Sequence, residues 1–197
     1  MSNDFLSKES EDKIFKSKDY SGRSFVDHSF SNCSFDGCNF MDSSWINAKF
    51  FFCTFKNCNI SLVDLKGCCM QEVLFEECKI VGVKFSKCNT GFIFSMDAKK
   101  SFIQYCNFSD LDMRMASFQD SKIYDNTFIN TCLTEADFSN TDLKGTLFRN
   151  CNLNKSNFCG ALNYTIDPLV NKVKKAKFSF PEVIGLLSAF DIKVVFE

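Results

Sequence analysis

The chain is short of the residues on which most catalytic and metal sites are built. It has one His, no Cys-x-x-Cys pair and no glycine-rich phosphate loop, and it has only two Pro and eight Gly in 197 residues. A zinc centre lacks its usual ligand spacing. One imidazole, His28, cannot serve a nucleophile elsewhere in the chain without special geometry, and no group of carboxylates is clustered for acid–base work. The expectation is a protein that is not an enzyme, with no catalytic residue, no metal and no cofactor. Positive charge is also missing in bulk: the formal charge is -1 and the pI about 5.9, so the basic footprint of direct nucleic-acid binding is not expected. There is no apolar run long enough to cross a bilayer, and the N-terminal residues lack the basic and apolar regions of a secretory signal. A soluble, cytoplasmic protein with no membrane partner is expected.

What the chain has is phenylalanine, 25 residues of it. Every fifth position from Phe25 to Phe85 is large and apolar: Phe25, Phe30, Phe35, Phe40, Trp45 and onward without exception. A second run on the same period goes from Ile103 through Phe108, Met113 and Phe118 to Phe158. A period of five fits neither the 3.6 of a helix nor the 2 of a flat strand, so the chain must change direction once per repeat. Two positions before each large residue i stands a small one, such as Cys33, Cys38, Ser43, Ala48, Ala136 or Ser156. On an extended segment i−2 and i face the same way, so both point inward and the positions around them face water.

This pattern resembles the pentapeptide-repeat family, and the runs CSFDG (33–37), ADFSN (136–140) and CNLNK (151–155) carry the resemblance. The resemblance implies an all-β solenoid: a right-handed quadrilateral β-helix of four pentapeptides per coil. Phe35, Phe55 and Phe75 would then stack on one wall about 4.8 Å apart. Nine of the twelve Cys occupy the inward i−2 position, where a thiol fills the space of Ala or Ser, so reduced, structural cysteines are expected.

The organisation expected is an N-terminal segment and cap over 1–19, a β-helix over 20–163 and a C-terminal cap over 164–197. The two runs are out of register by three residues, which places an irregularity near 88–101, either a bulge or a protruding recognition loop. Beyond it, Ser179-Phe-Pro-Glu182 has the form of a capping box before a short C-terminal α-helix, and residues 191–197 suggest a terminal strand. Val183, Ile184, Leu186, Leu187 and Phe190 make that helix apolar enough to cover the last coil and to form a homodimer interface.

Charge is unevenly spread. Between Phe102 and Asp142, seven acids (Asp110, Asp112, Asp120, Asp125, Glu135, Asp137 and Asp142) face two bases, a net charge of -5. Within the family, the segment 75–87, the break after it and the Asp167-Pro168 ending resemble the Qnr-type quinolone-resistance proteins. That resemblance implies a dimeric rod that mimics duplex DNA, binds DNA gyrase or topoisomerase IV and counters quinolones, with the seven acids as the partner-binding set. The alternative expectation is a pentapeptide-repeat scaffold for an unrelated cytosolic protein.

Overall fold

In the computed structural model, which describes residues 7–91, 93–190, 192 and 195, the chain winds as a right-handed, four-sided β-helix. Parallel pairing joins Phe35 to Phe55 and Phe55 to Phe75, so twenty residues make one coil. The first wall begins with Glu9–Glu11, Ser29–Ser31, Lys49–Phe51 and Cys69–Gln71, and the second with Ile14–Lys16, Ser34–Asp36, Thr54–Lys56, Val73–Glu76 and Met96–Lys99. The third wall contains Lys79–Val81, Phe102–Gln104 and Lys122–Tyr124; the fourth contains Thr127–Ile129 and Leu147–Arg149.

The corners have a common chemistry. Two residues after nearly every inward centre the backbone takes a positive φ, at Asn32, Asp42, Asn47, Asp120, Asn130 and their equivalents; after Phe85 a 3-10 turn, Phe85–Lys87, replaces it. Asn and Asp tolerate this conformation and Gly adopts it freely, which accounts for their frequency at i+2. Three corners favour glycine for a further reason: a Cβ on Gly67 would crowd the Asn47 amide, one on Gly145 the Asp125 carboxylate and one on Gly160 the Asn140 amide, each one coil below.

Inside, the large centres stack as expected. Phe35–Phe55 and Phe55–Phe75 lie 4.7 and 5.0 Å apart with nearly parallel rings, and Phe118–Phe138 and Phe138–Phe158 repeat the contact at 5.0 Å. The inward i−2 residues do more than fill space. Cys58 Sγ reaches the Phe35 carbonyl at 3.3 Å, Cys78 the Phe55 carbonyl at 3.3 Å and Cys151 the Phe128 carbonyl at 3.2 Å. Towards the C-terminus Thr131, Asn126 and Asn171 donate to the equivalent carbonyls at 2.9–3.0 Å. Each ties a buried carbonyl of one coil to the next, satisfying a group that burial would otherwise make costly.

The coils extend past the expected limits of the β-helix at both ends. Ser10 and Phe15 already pair with Phe30 and Phe35, and Phe178 still pairs with Phe158 and stacks on it at 5.2 Å. The pattern fades near the C-terminus because Leu147 pairs with Thr165, an offset two residues short, before Asn152↔Lys172 restores the full twenty. The expected C-terminal α-helix is a nine-residue 3-10 helix, Glu182–Phe190. Its expected capping hydroxyl is used elsewhere: Ser179 Oγ accepts from Gly160 N at 2.8 Å, tying the segment to the previous coil. The strand expected over 191–197 falls largely outside the described residues.

Ten of the twelve cysteines are buried, and Cys132 and Cys159 are half-buried. Burial pushes the Cys53 and Cys106 thiols up to about 12, against reactivity at neutral pH. A thiol reagent should therefore label at most Cys132 and Cys159 rapidly in the native protein and the remainder only on unfolding. Fast native labelling of the Cys38, Cys58 and Cys78 column would contradict this packing.

Candidate functional site

The seven predicted carboxylates divide by register into two sets. Asp110, Asp120, Asp125 and Glu135 sit at positive-φ corners, each at a different edge of the rod. Asp112, Asp137 and Asp142 sit one residue before Met113, Phe118's neighbour Phe138, and Leu143, on the first, second and third walls. The fold thus brings the acids into consecutive coils but does not gather them onto one face.

Each carboxylate is held in place. Asn130 Nδ2 donates to Asp110 at 3.0 Å and Asn140 Nδ2 to Asp120 at 3.1 Å, both from the coil above. Gln104 Nε2 donates to Asp125 at 3.2 Å, and Lys155 pairs with Glu135 at 2.6 Å. Asp137 accepts from Ser139 N, Asn157 Nδ2 and Gln119 Nε2 at 2.9, 3.1 and 2.6 Å. Asp142 accepts from Asn163 Nδ2 at 2.7 Å and Tyr124 Oη at 2.8 Å. Asp112 receives a forked contact from the Arg114 guanidinium at 2.7–3.0 Å. Among the described residues only Asp112 and Glu135 are ion-paired; the other five carboxylates are held by neutral donors and keep their negative field. The Asp at i−1 also accepts from the backbone N–H at i+1, as in Ser139 N→Asp137 and Lys144 N→Asp142, a local turn that explains why Asx residues recur there.

These contacts shift proton affinity. The Arg114 guanidinium holds Asp112 below the usual carboxylate range. At Asp137 burial opposes ionisation but is outweighed by donors from Ser139, Gln119 and Asn157; at Asp142 burial is outweighed by Asn163, Tyr124 and Lys144 N.

The irregularity lies between Asn89, whose N–H still meets the Cys68 carbonyl, and Ser95, whose N–H meets the Met70 carbonyl. Phe94 turns back into the core while Ile93 stays 71% exposed. Cys132 N and Asn152 N each reach a carbonyl of the coil below, but among the described residues Asp112 N has no such bond. A groove of about 360 Å³ opens at this interruption, lined by Leu74, Phe94, Met96, Met113 and Met115 with Glu72 and Arg114 among its polar residues. The sequence places the break but gives no sign of this apolar groove, because its methionines occupy ordinary repeat positions.

On the terminal helix, Val183, Ile184 and Leu186 are half-buried and Leu186 packs on the core. Leu187 and Phe190 are exposed, as are nearby Phe180, Ile192 and Val195. Among the described residues no group of three or more His, Cys, Asp or Glu converges for metal binding, and no helix is long and apolar enough to cross a membrane.

A rod of parallel twenty-residue coils with Asx corners and stacked apolar centres defines the class. The sequence matches the Pentapeptide repeat region family over residues 28–94 and the Pentapeptide repeats (8 copies) family over 103–140 and 128–162, on either side of the interruption. The chain belongs to the pentapeptide-repeat family. Among solved structures it is similar to full-length QnrB1, a plasmid-mediated fluoroquinolone resistance protein, at 12% identity and TM-score 0.60, over 93% of this chain and 100% of that one. It also matches HetL, a pentapeptide repeat protein involved in heterocyst differentiation regulation from the cyanobacterium Nostoc, at 11% identity and TM-score 0.42, over 85% of this chain and 87% of that one. At 12% identity the likeness to QnrB1 concerns the fold. No curated protein matches the sequence.

Because Asp112, Asp137 and Asp142 hold their protons less tightly folded than unfolded, they stabilise the fold above the unfolded carboxylate value of about 3.9, and that contribution is lost as pH falls through their lower folded values. Denaturant unfolding should show stability declining below pH about 4, and less steeply in the Asp112→Asn, Asp137→Asn, Asp142→Asn variant. Parallel acid profiles for the two proteins would contradict the assignment.

Proposed function

We propose that the protein is a non-catalytic binding rod whose acidic coils occupy the DNA-binding groove of a type II topoisomerase, DNA gyrase or topoisomerase IV, and thereby counter quinolones. The observation that carries this reading is the net -5 stretch from Phe102 to Asp142 displayed on a rigid rod with every carboxylate fixed by a neighbour. Carboxylates immobilised before binding lose little conformational entropy on association, and each one meeting Lys or Arg makes a charge-assisted contact. A groove that normally neutralises phosphates offers that lining. The fold shared with QnrB1, a fluoroquinolone resistance protein, supports the reading. With purified gyrase, the protein should reduce quinolone-stimulated cleavage, with an effect that weakens as salt rises. Asp120→Asn, Asp125→Asn, Asp137→Asn and Asp142→Asn together keep the polar shape and should lower binding several-fold. Wild type without effect on cleavage or supercoiling, or binding unchanged by the four substitutions, would overturn the reading.

The working unit in this proposal is a homodimer through Val183, Ile184, Leu186, Leu187 and Phe190. Its support is the exposure of Leu187 and Phe190 beside Phe180, an apolar surface that the last coil leaves uncovered. Sedimentation should give a dimer, and Leu187→Asp a folded monomer, since an unpaired charge is not tolerated in a symmetric contact. A monomeric wild type at high concentration would reduce the helix to a cap.

One observation favours a second reading, a scaffold for an unrelated protein. The apolar groove beside Phe94 and Met113 has no part in mimicking a phosphate backbone, and partner binding that survives the four Asp→Asn changes but is lost in Met115→Glu would establish it.

A further inference from the structure

Next to the acidic coils the charge reverses. From Leu143 to Ser179 there are seven bases and one acid, a net charge of +6, and the coil geometry gathers most of that charge at one end of the first wall. Lys172 and Lys174 flank the inward Val173, so both side chains leave the same face from backbone positions roughly 6.6 Å apart for an extended segment. Lys175 occupies the following corner at positive φ, one coil above Lys155, whose N–H meets the Lys174 carbonyl at 2.9 Å. Lys177 begins the second wall opposite Asn157. All five are exposed. Lys155 is paired with Glu135, whereas Lys172, Lys174, Lys175 and Lys177 form no ion pair among the described residues. Stacked like charges without counter-charges oppose folding, so the cluster has no stabilising role in the isolated rod.

The surface beside these lysines can receive an oxyanion. A cleft of about 260 Å³ is lined by Asn150, Cys151, Asn152, Val170 and Lys172, which puts amide donors next to an ammonium group. No aromatic ring lines it, so there is no stacking platform for an unpaired base. Of the carboxylates nearest to these lysines along the first wall, Asp112 is paired with Arg114 and Glu135 with Lys155, while Asp110 keeps its charge two coils below Asn150 in the same corner column.

The geometry points to a second binding surface, distinct from the acidic coils: the basic end of the first wall binds the phosphodiester backbone of duplex nucleic acid without reading its sequence. Lysines at fixed spacing on a stiff wall suit a regular row of phosphates, and amide donors in a cleft suit one phosphate oxygen. The overall charge of -1 conceals this surface because the acidic and basic coils cancel. The proposal does not rest on the topoisomerase reading, and either can fail without the other.

Anisotropy of a short labelled DNA duplex, titrated with the full chain at increasing salt, tests it. Neutralising four phosphates gives a slope of log affinity against log salt of about -4. Lys172→Gln, Lys174→Gln, Lys175→Gln and Lys177→Gln together should lower low-salt affinity at least tenfold and flatten that slope, while four Lys→Arg changes should preserve both. Circular dichroism confirms that the fold is kept. The Asp120, Asp125, Asp137 and Asp142 to Asn variant should bind duplex as well as wild type or better, even where it loses its effect on gyrase. The proposal is overturned if wild type does not bind duplex at low salt, if the four Gln substitutions leave binding unchanged, or if the chain binds phosphatidylserine vesicles and not duplex.

Discussion

Everything in this molecule depends on the chain turning a corner every five residues with one residue at positive φ. Four such corners close a coil, and because the coil length is twenty residues everywhere except at the interruption and the last coil, each side chain lies over its counterpart in the coil below. A left-handed conformation costs a non-glycine residue roughly 1–2 kcal/mol. Asn, Asp and Gly at most corners keep that cost low, while Phe52, Leu62, Tyr105 and Met115 adopt it with bulky, exposed side chains. The structure tolerates these because neighbouring coils fix the corner from both sides.

Vertical repetition then decides what each position can do. Inside, ring stacks on ring, and the small i−2 residue carries a thiol, hydroxyl or amide to a carbonyl below. Outside, the same repetition builds ladders: Asn130 donates to Asp110 and Asn140 to Asp120. A ladder running up the rod by amide donation starts well from an acceptor-only Asp, so part of the acidity of these coils has a structural origin. Charge used this way stays fixed and outward, and the same residues that lock the coils together give the rod its field.

The inward register was legible because side-chain size repeats at five, a period that neither a helix nor a flat strand has. Less legible was whatever the repeat's degeneracy conceals. Ser10 is a small centre and Ile14 an apolar outward residue, so the first coil hides from a pattern of large centres. Thr165 and Ile166 sit two residues out of step, so the last coil looks like the end of the repeat. The Ser179–Glu182 signature was chemically sound, yet the hydroxyl found a better partner in Gly160 of the preceding coil. Of the candidate surfaces, the seven acids could be named and, from the register, spread over several faces with Asp137 and Asp142 at outward i−1 positions; the neighbours that hold each carboxylate could not be read. The apolar groove, and the basic end of the first wall, became visible only once coil stacking put residues twenty apart side by side.

Together these features describe a rigid rod with separate chemical zones: acidic coils, an apolar interruption, a basic end and an apolar terminal helix. Their separation requires that the coils do not slip, which the stacked core enforces. The stability of Phe118→Ala tests that claim most directly, since its ring is fully buried and stacks on Phe138 at 5.0 Å. Denaturant unfolding should show a loss of about 3–5 kcal/mol, from lost burial and a cavity that parallel coils cannot collapse to fill. A loss below about 1 kcal/mol would mean that the inward register, and with it the placement of every surface zone, is wrong.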